Sequence, residues 1–570
     1  MKTVLYSLAI FSLISINNVY SQDWSKDAIL PGIEKCSDHN GHTVCLKDGN
    51  RKNIYSLNQN ELDTYIEEGG RHVLSYPVDV TPLQIPYASL KRVFNSESNS
   101  PLRRLFYSIA KEITSFKDMS DLYDHIGLHK YPEYEIQRGP NLIPFMGALE
   151  SESMGATIFG KEKARGLTFS CAACHSANLF GKKIVGLTNR FPKANEFFHL
   201  GQKIMKNTPA LAFQIATGAG QDEMRLFKES KAAIKAIGIK KPIVLGLDTS
   251  LAQVGLSLAK RNKDEYATFS KKFQRRPRAS GFDKNPADSK PAVWWNTKYK
   301  TKWLSDGSIV SGNPIHTNFL WNEIGRGVDL KKLENWLIDN KNKVDELTSY
   351  VFNTEAPKYN NFFPRRIKID QAMRGQKLFL KTCSGCHGIY DKGWDETEQY
   401  DQAIATTKVW YHKSTPVIDV GTDPLRFEGM KYFADDLNNL KISKSIKTVV
   451  KPQVGYVPPP LVGIWARWPY FHNNSAPTLY DVITPDFKRT KSYIAVESID
   501  PKVDFDFVKN GYPHPSKIKE PFKSNKKYRY NSKVRGLSNS GHTFMLVDAN
   551  GKEKMSESEK MDLIEFLKTL

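Results

Sequence analysis

Two copies of Cys-x-x-Cys-His punctuate the chain, at Cys171-Ala-Ala-Cys174-His175 and Cys383-Ser-Gly-Cys386-His387. This pentapeptide is the spacing of covalent c-type haem attachment. The two thiols form thioethers to one haem edge, and the adjacent histidine gives the iron an axial nitrogen. A cysteine pair alone would also suit a zinc knuckle or a redox dithiol. Neither motif has nearby the second cysteine pair or histidine pair that a zinc site requires. The expectation is two covalently bound haem c groups, with His175 and His387 as iron ligands and each motif seeding its own pocket.

The N-terminus opens with Lys2, an apolar run from Val4 to Ile16, and then Val19-Tyr20-Ser21. This reads as a secretory signal over residues 1–21. The run is too short to span a bilayer, and no later stretch is long and uncharged enough to do so. A periplasmic or secreted protein that does not span the membrane is expected. Six cysteines leave Cys36 and Cys45 outside the motifs. They are symmetric about Asn40-Gly41, a strong two-residue hairpin signal. Counting outward, His39 faces His42, and Cys36 faces Cys45 in a non-hydrogen-bonded pair, where strands approach most closely. The reading adopted is a disulfide stapling the hairpin in an oxidising compartment. Its rival is a metal site built from Cys36, His39, His42 and Cys45.

The formal net charge is +21, spread along the chain and densest from Lys517 to Arg535. That stretch has no helical period and reads as a solvated loop, or as a docking face for a small acidic redox partner. No nucleic-acid-binding motif accompanies the charge.

The fold class expected is mainly α with minor β: two c-type cytochrome haem domains with long loops and an N-terminal hairpin. The divisions are a signal at 1–21, an N-terminal region with the hairpin at 22–135, a first haem domain at 136–355 and a second at 365–570. Ala356 to Pro364 reads as the linker. Glu334 to Phe352 reads as one helix, and Ile369 to Thr382 as the helix delivering the second motif. Ser556 and Glu559 form a capping box, followed by Met561, Ile564 and Leu567 at helical spacing.

Function turns on the sixth ligand of each iron, since an open position admits O₂ or peroxide and a second protein ligand makes an electron carrier. His542 lies in a Gly-containing loop before the terminal helix, with Met545 as a competing thioether. His472 lies in the aromatic turn Pro469-Tyr470-Phe471-His472-Asn473-Asn474-Ser475. From spacing alone, either could equally be a loop histidine bonded to backbone. Near the first motif, His199 and Met205 read as packed residues, which points to an open iron. Trp294, Trp295, Trp303 and Trp321 crowd one stretch. Packing accounts for most of them, with one tryptophan between the haems or lining a substrate pocket as the alternative. Arg190 and Arg426 suit bidentate contacts to haem propionates.

Three further segments carry a resemblance. Gly421-Thr422-Asp423-Pro424-Leu425-Arg426, Gly455-Tyr456-Val457-Pro458-Pro459-Pro460-Leu461-Val462-Gly463-Ile464-Trp465 and Pro469 to Leu479 resemble motifs of the di-haem cytochrome c peroxidase/MauG superfamily. The match is best with its RoxA-type rubber oxygenase branch. Asn474 replaces the usual Gly of His-Asn-Gly, a left-handed position that Asn tolerates, and Arg467 and Trp468 replace small residues. The resemblance implies His175 as proximal ligand of an oxygen-binding haem and His387 with His542 as the axial pair of an electron-transfer haem. It also implies Trp294-Trp295 as a pair near the active haem. The resulting expectation is an exported oxidoreductase acting on O₂ or H₂O₂, and on an apolar organic substrate if it is an oxygenase. His175, Trp294, Trp295 and His472 form its reactive surroundings, with His472 shaping hydrogen bonding at a haem. The alternative is a pure electron-transfer di-haem cytochrome.

Overall fold

The computed structural model describes residues 29–39, 42–75, 80–114, 116–130, 153–154, 156–159, 165–191 and 193–570. The signal expected over 1–21 and the turn expected at Asn40-Gly41 lie outside the described residues. Helices and short 3-10 turns predominate, joined by long loops and small sheets. Among the described residues no helix is long and apolar enough to cross a membrane.

The strands Glu34–His39 and His42–Lys47 pair with Cys36 opposite Cys45 and His39 opposite His42. The two sulfurs are bonded at 2.08 Å, which leaves no thiolate pair for the rival metal site. The hairpin does not stand alone. It is one side of a 4-stranded sheet whose other strands, Thr406–His412 and Ile389–Lys392, follow the second motif. The N-terminal region is thereby joined to the C-terminal half.

Among the described residues three apolar cores hold the molecule together. One gathers Val254, Phe319, Leu333 and Phe352 with Phe433 and Leu437. A second joins Leu179, Leu187 and Trp295 to Phe379, Trp465 and Leu563. A third is built from Leu83, Phe94, Leu122, Phe198 and Phe227. The first two cores take residues from both sides of the stretch 356–364, which is not a free linker. Tyr359 and Phe363 are buried in the second core, and the Pro357 carbonyl accepts from Trp465 Nε1 at 2.6 Å.

The expected helix over 334–352 is two helices, Leu330–Asp339 and Lys341–Asn353. The break falls at Asn340 (φ −112°, ψ 23°), whose side-chain amide donates to the Trp336 carbonyl. The competing side-chain bond ends one helix and starts the next, as Asn does at helix boundaries. Ile369–Thr382 is helical over the range read from sequence. It packs on the terminal helix Glu557–Lys568, whose Ser556 cap and Glu559 form the reciprocal box. The two helices approach most closely at Gly375, where a Cβ would lie 2.0 Å from the Asp562 carbonyl oxygen. Arg374 clamps the same turn through two bonds to Asp562, at 2.9 and 3.0 Å.

Candidate haem-binding sites

The helix Ile369–Thr382 delivers the second motif at its C-terminus, and the turn Ser384–His387 carries it onward. His387 Nδ1 lies 2.9 Å from the Pro459 carbonyl. A carbonyl only accepts, so Nδ1 carries the proton and Nε2 keeps its lone pair, the tautomer a metal ligand needs. Across a cavity of about 260 Å³ stands His542. Its backbone is held at φ +62° by an N–H bond to the Val420 carbonyl. Its Nδ1 is buried with no hydrogen-bond partner among the described residues. The two imidazole planes lie within 10° of parallel, with ring centres 6.4 Å apart. Two imidazoles ligating one ion from opposite sides, with metal–nitrogen bonds of about 2 Å, put their ring centres about 6 Å apart. Burial pushes His387 down to about 4 and His542 down to about 3, so both rings are neutral near pH 7. Met545 lines the same cavity.

His472 also lines this second cavity, where its ring stacks on Tyr456 with centroids 3.9 Å apart. Its carbonyl accepts from Lys290 N–H at 2.8 Å. The turn it occupies places Asn474 at φ +62°, the left-handed backbone expected there.

The first motif follows the strand Gly166–Phe169 and forms the short turn Cys171–Ala173. His175 Nδ1 lies 3.0 Å from the Ala292 carbonyl, so this ring too presents an unprotonated Nε2. It faces a separate, first cavity, also of about 260 Å³, lined by Trp294, Trp303, Trp321 and Arg426 among others. No other His and no Met among the described residues lines it. Trp294 packs on the His175 ring at 4.9 Å. Trp295 does not accompany it: its indole N–H donates to the Val462 carbonyl at 2.9 Å in the other core, and it lines neither cavity. The pair read together from sequence is therefore divided, because adjacent residues in a 3-10 turn (Trp294–Tyr299) point to different sides.

Arg190 is removed from both cavities. Its guanidinium donates to the Trp468 and Ala466 carbonyls and to Ser498, and stacks on the Trp468 ring. A propionate contact is thus closed to it. Arg426 lines the first cavity, 3.5 Å from Asp306. His199 is exposed rather than packed, and Met205 is buried in the third core.

One wall serves both cavities. Lys290, Pro291, Ala292, Val293, Lys300 and Ser305 line each of them. Sequence reading missed this segment. Its signal was lysines embedded in an aromatic, Pro-containing run, which local pattern alone does not assign to a site.

The donor sets fit covalent haem at both motifs. Each offers two thiols and a neutral imidazole oriented by a backbone carbonyl. Burial raises Cys171 to about 11, Cys174 to about 12 and Cys383 to about 11. That opposes the thiolate on which a structural metal site or redox dithiol depends.

A family model described as RoxA-like, cytochrome c-like matches residues 455–494. The matched stretch supplies the second cavity with Tyr456, Pro459, Arg467, Phe471 and His472, including the carbonyl that orients His387. The chain is also similar to two proteins of Sinorhizobium fredii (strain NBRC 101917 / NGR234). The uncharacterized protein y4iM is 26% identical over 130 residues, covering 22% of this chain and 30% of that protein. The uncharacterized protein y4iJ is 30% identical over 241 residues, covering 35% of this chain and 38% of that protein. The chain thus spans well under half the length of the curated relatives it matches. The match at 455–494 links the chain to the cytochromes c and to covalently bound haem c.

Proposed function

We propose that this chain is an exported, periplasmic or secreted di-haem c-type oxidoreductase that uses O₂ or H₂O₂ at the first motif and exchanges electrons through the second. The observation carrying this reading is the asymmetry of the cavities. The second presents two neutral, parallel histidines, and the first presents His175 alone among the described residues. Haem, when bound, supplies a redox iron that exchanges single electrons, and one left with an open position takes up small oxidants.

The remaining work falls to the protein. The Ala292 carbonyl and the Trp294 ring hold His175 in one tautomer and one orientation. The Pro459 carbonyl does the same for His387, which His542 faces across the second cavity. His472, stacked on Tyr456, borders the second site. Trp303, Phe319, Trp321, Leu347 and Val351 give the first cavity an apolar side, which suits an apolar organic substrate better than an ionic one. Lys519, Lys523, Lys526, Lys527, Arg529 and Lys533 are exposed with only Glu520 among them. Tyr530 in this run donates to the Asn473 carbonyl at 3.0 Å, one residue from His472. A small acidic redox partner docked there would be close to the second site.

The test is an EPR spectrum of the ferric holoprotein before and after hydrogen peroxide. One low-spin signal unmoved by peroxide, beside a high-spin signal that responds to it, is the expected result. Two low-spin signals indifferent to peroxide would sink the catalytic reading and leave an electron carrier.

A further inference from the structure

Lys298 and Lys300 are both buried, yet their charges are treated differently. The Lys298 ammonium donates to the Thr354 carbonyl at 3.0 Å and to Glu355 at 3.1 Å. Lys300 has no carboxylate and no hydrogen-bond acceptor at its ammonium among the described residues, and it lines both cavities. Two further cations share its surroundings. Lys290, on the same wall, donates only to the Arg467 and Pro469 carbonyls, at 3.0 and 2.6 Å. Arg467, close enough to Lys300 to depress its proton affinity, donates to the Pro460 carbonyl at 2.9 Å and keeps a buried Nε without a partner.

The other cations on the first cavity are already matched: Arg326 by Glu323 at 3.0 Å, and Arg426 by Asp306 at 3.5 Å. The second cavity has no Asp or Glu among its described lining residues. A buried cation without an anion is strongly unfavourable, and carbonyl dipoles compensate it only in part. The wall carries three such basic groups and supplies no carboxylate, and burial pushes both lysine ammoniums down, so an anion brought by whatever fills the cavities would hold them charged.

We infer that Lys300 pairs with acidic side groups of the prosthetic groups in both cavities at once, with Lys290 and Arg467 completing one cationic wall between them. This rests on the two-haem reading above. Haem carries two carboxylates, the chemistry this wall lacks. A single ammonium serving both groups ties their charge states together. It opposes the negative charge at each, and so favours the reduced form of both.

The experiment is a spectroelectrochemical titration of the full-length holoprotein, after counting haems per chain. Lys300→Met is expected to shift the reduction equilibrium of both haems toward the oxidised form by about tenfold, or 59 mV for a one-electron couple. Lys300→Arg, which keeps the charge, is expected to leave both within about threefold of wild type. If Lys300→Met does not accumulate as holoprotein, Lys300→Gln, one bond shorter than lysine but retaining an N–H donor, carries the same expectation. Potentials that move at one haem only, or at neither, overturn the shared wall while leaving the two-haem reading intact. Fewer than two haems per chain overturns both.

Discussion

Trp294 and Trp295 are consecutive in sequence and belong to different cores. Trp294 packs on the His175 ring at 4.9 Å, and Trp295 donates to the Val462 carbonyl at 2.9 Å. The peptide bond between them ties the first core to the second.

Replacing the two indoles should therefore have separable effects. Trp295→Phe leaves the buried Val462 carbonyl without its donor and is expected to cost about 2 kcal/mol of stability, with the absorption of the first haem unchanged. Trp294→Phe is expected to alter that absorption at a smaller stability cost. Chemical denaturation and visible spectra of the two holoproteins decide the matter, and identical behaviour would refute the division.

His542→Ala removes one of the two parallel rings. The expected outcome is conversion of one low-spin haem to high spin, with the other haem's spectrum intact and the low-spin form restored by added imidazole. Retention of the low-spin signal would assign the sixth ligand elsewhere, with Met545 the alternative on the same cavity.

Gly375→Ala would ordinarily stabilise an exposed helix interior by up to about 1 kcal/mol. Here the sign reverses, because the added methyl would meet the Asp562 carbonyl oxygen at 2.0 Å. Separating the helices is expected to cost about 2 kcal/mol or more. It should also lower haem occupancy at Cys383 and Cys386, read by mass spectrometry of the intact protein. An unchanged melting temperature would show that the terminal helix yields freely.

Asp288 is 5% exposed, and burial pushes its carboxyl up from 3.8 to about 7. Asp248 nearby reinforces the shift, while the Ile243 N–H bond and Lys240 oppose it. The native state thus binds this proton more tightly than the unfolded chain. The group's contribution to stability is full below about pH 4 and is lost as the pH rises through about 7. Asp288→Asn, which keeps an acceptor for Ile243, should match wild type near pH 4 and exceed it by up to about 4 kcal/mol near pH 8. Denaturation curves at the two pH values measure this, and equal offsets at both would sink it.

What sequence could reveal was whatever neighbours along the chain decide. The helix Ile369–Thr382, the Ser556–Glu559 box, the hairpin register and the left-handed Asn474 all follow from local pattern. The break at Asn340 was hidden because an apolar period continues across it, and only a side-chain bond to Trp336 interrupts the helix. The divided tryptophans, the diversion of Arg190 onto backbone carbonyls and the shared lysine wall depend on partners far away in sequence. Residue type pointed to Arg190 and the tryptophans but not to the lysines, and the direction of each side chain is set by packing between distant segments.

The same distance separates the stapled hairpin from its sheet partner. Lys47 pairs opposite Tyr411, and Leu46 opposite His412. The His412 Nε2 in turn lies 2.8 Å from the Cys386 carbonyl. A segment synthesised early thus waits with an open strand edge for one synthesised much later, and such edges invite wrong pairing until filled. Synthesis order and assembly order are opposed here: the early hairpin completes its sheet only after the strand that braces the second Cys-x-x-Cys-His motif has emerged.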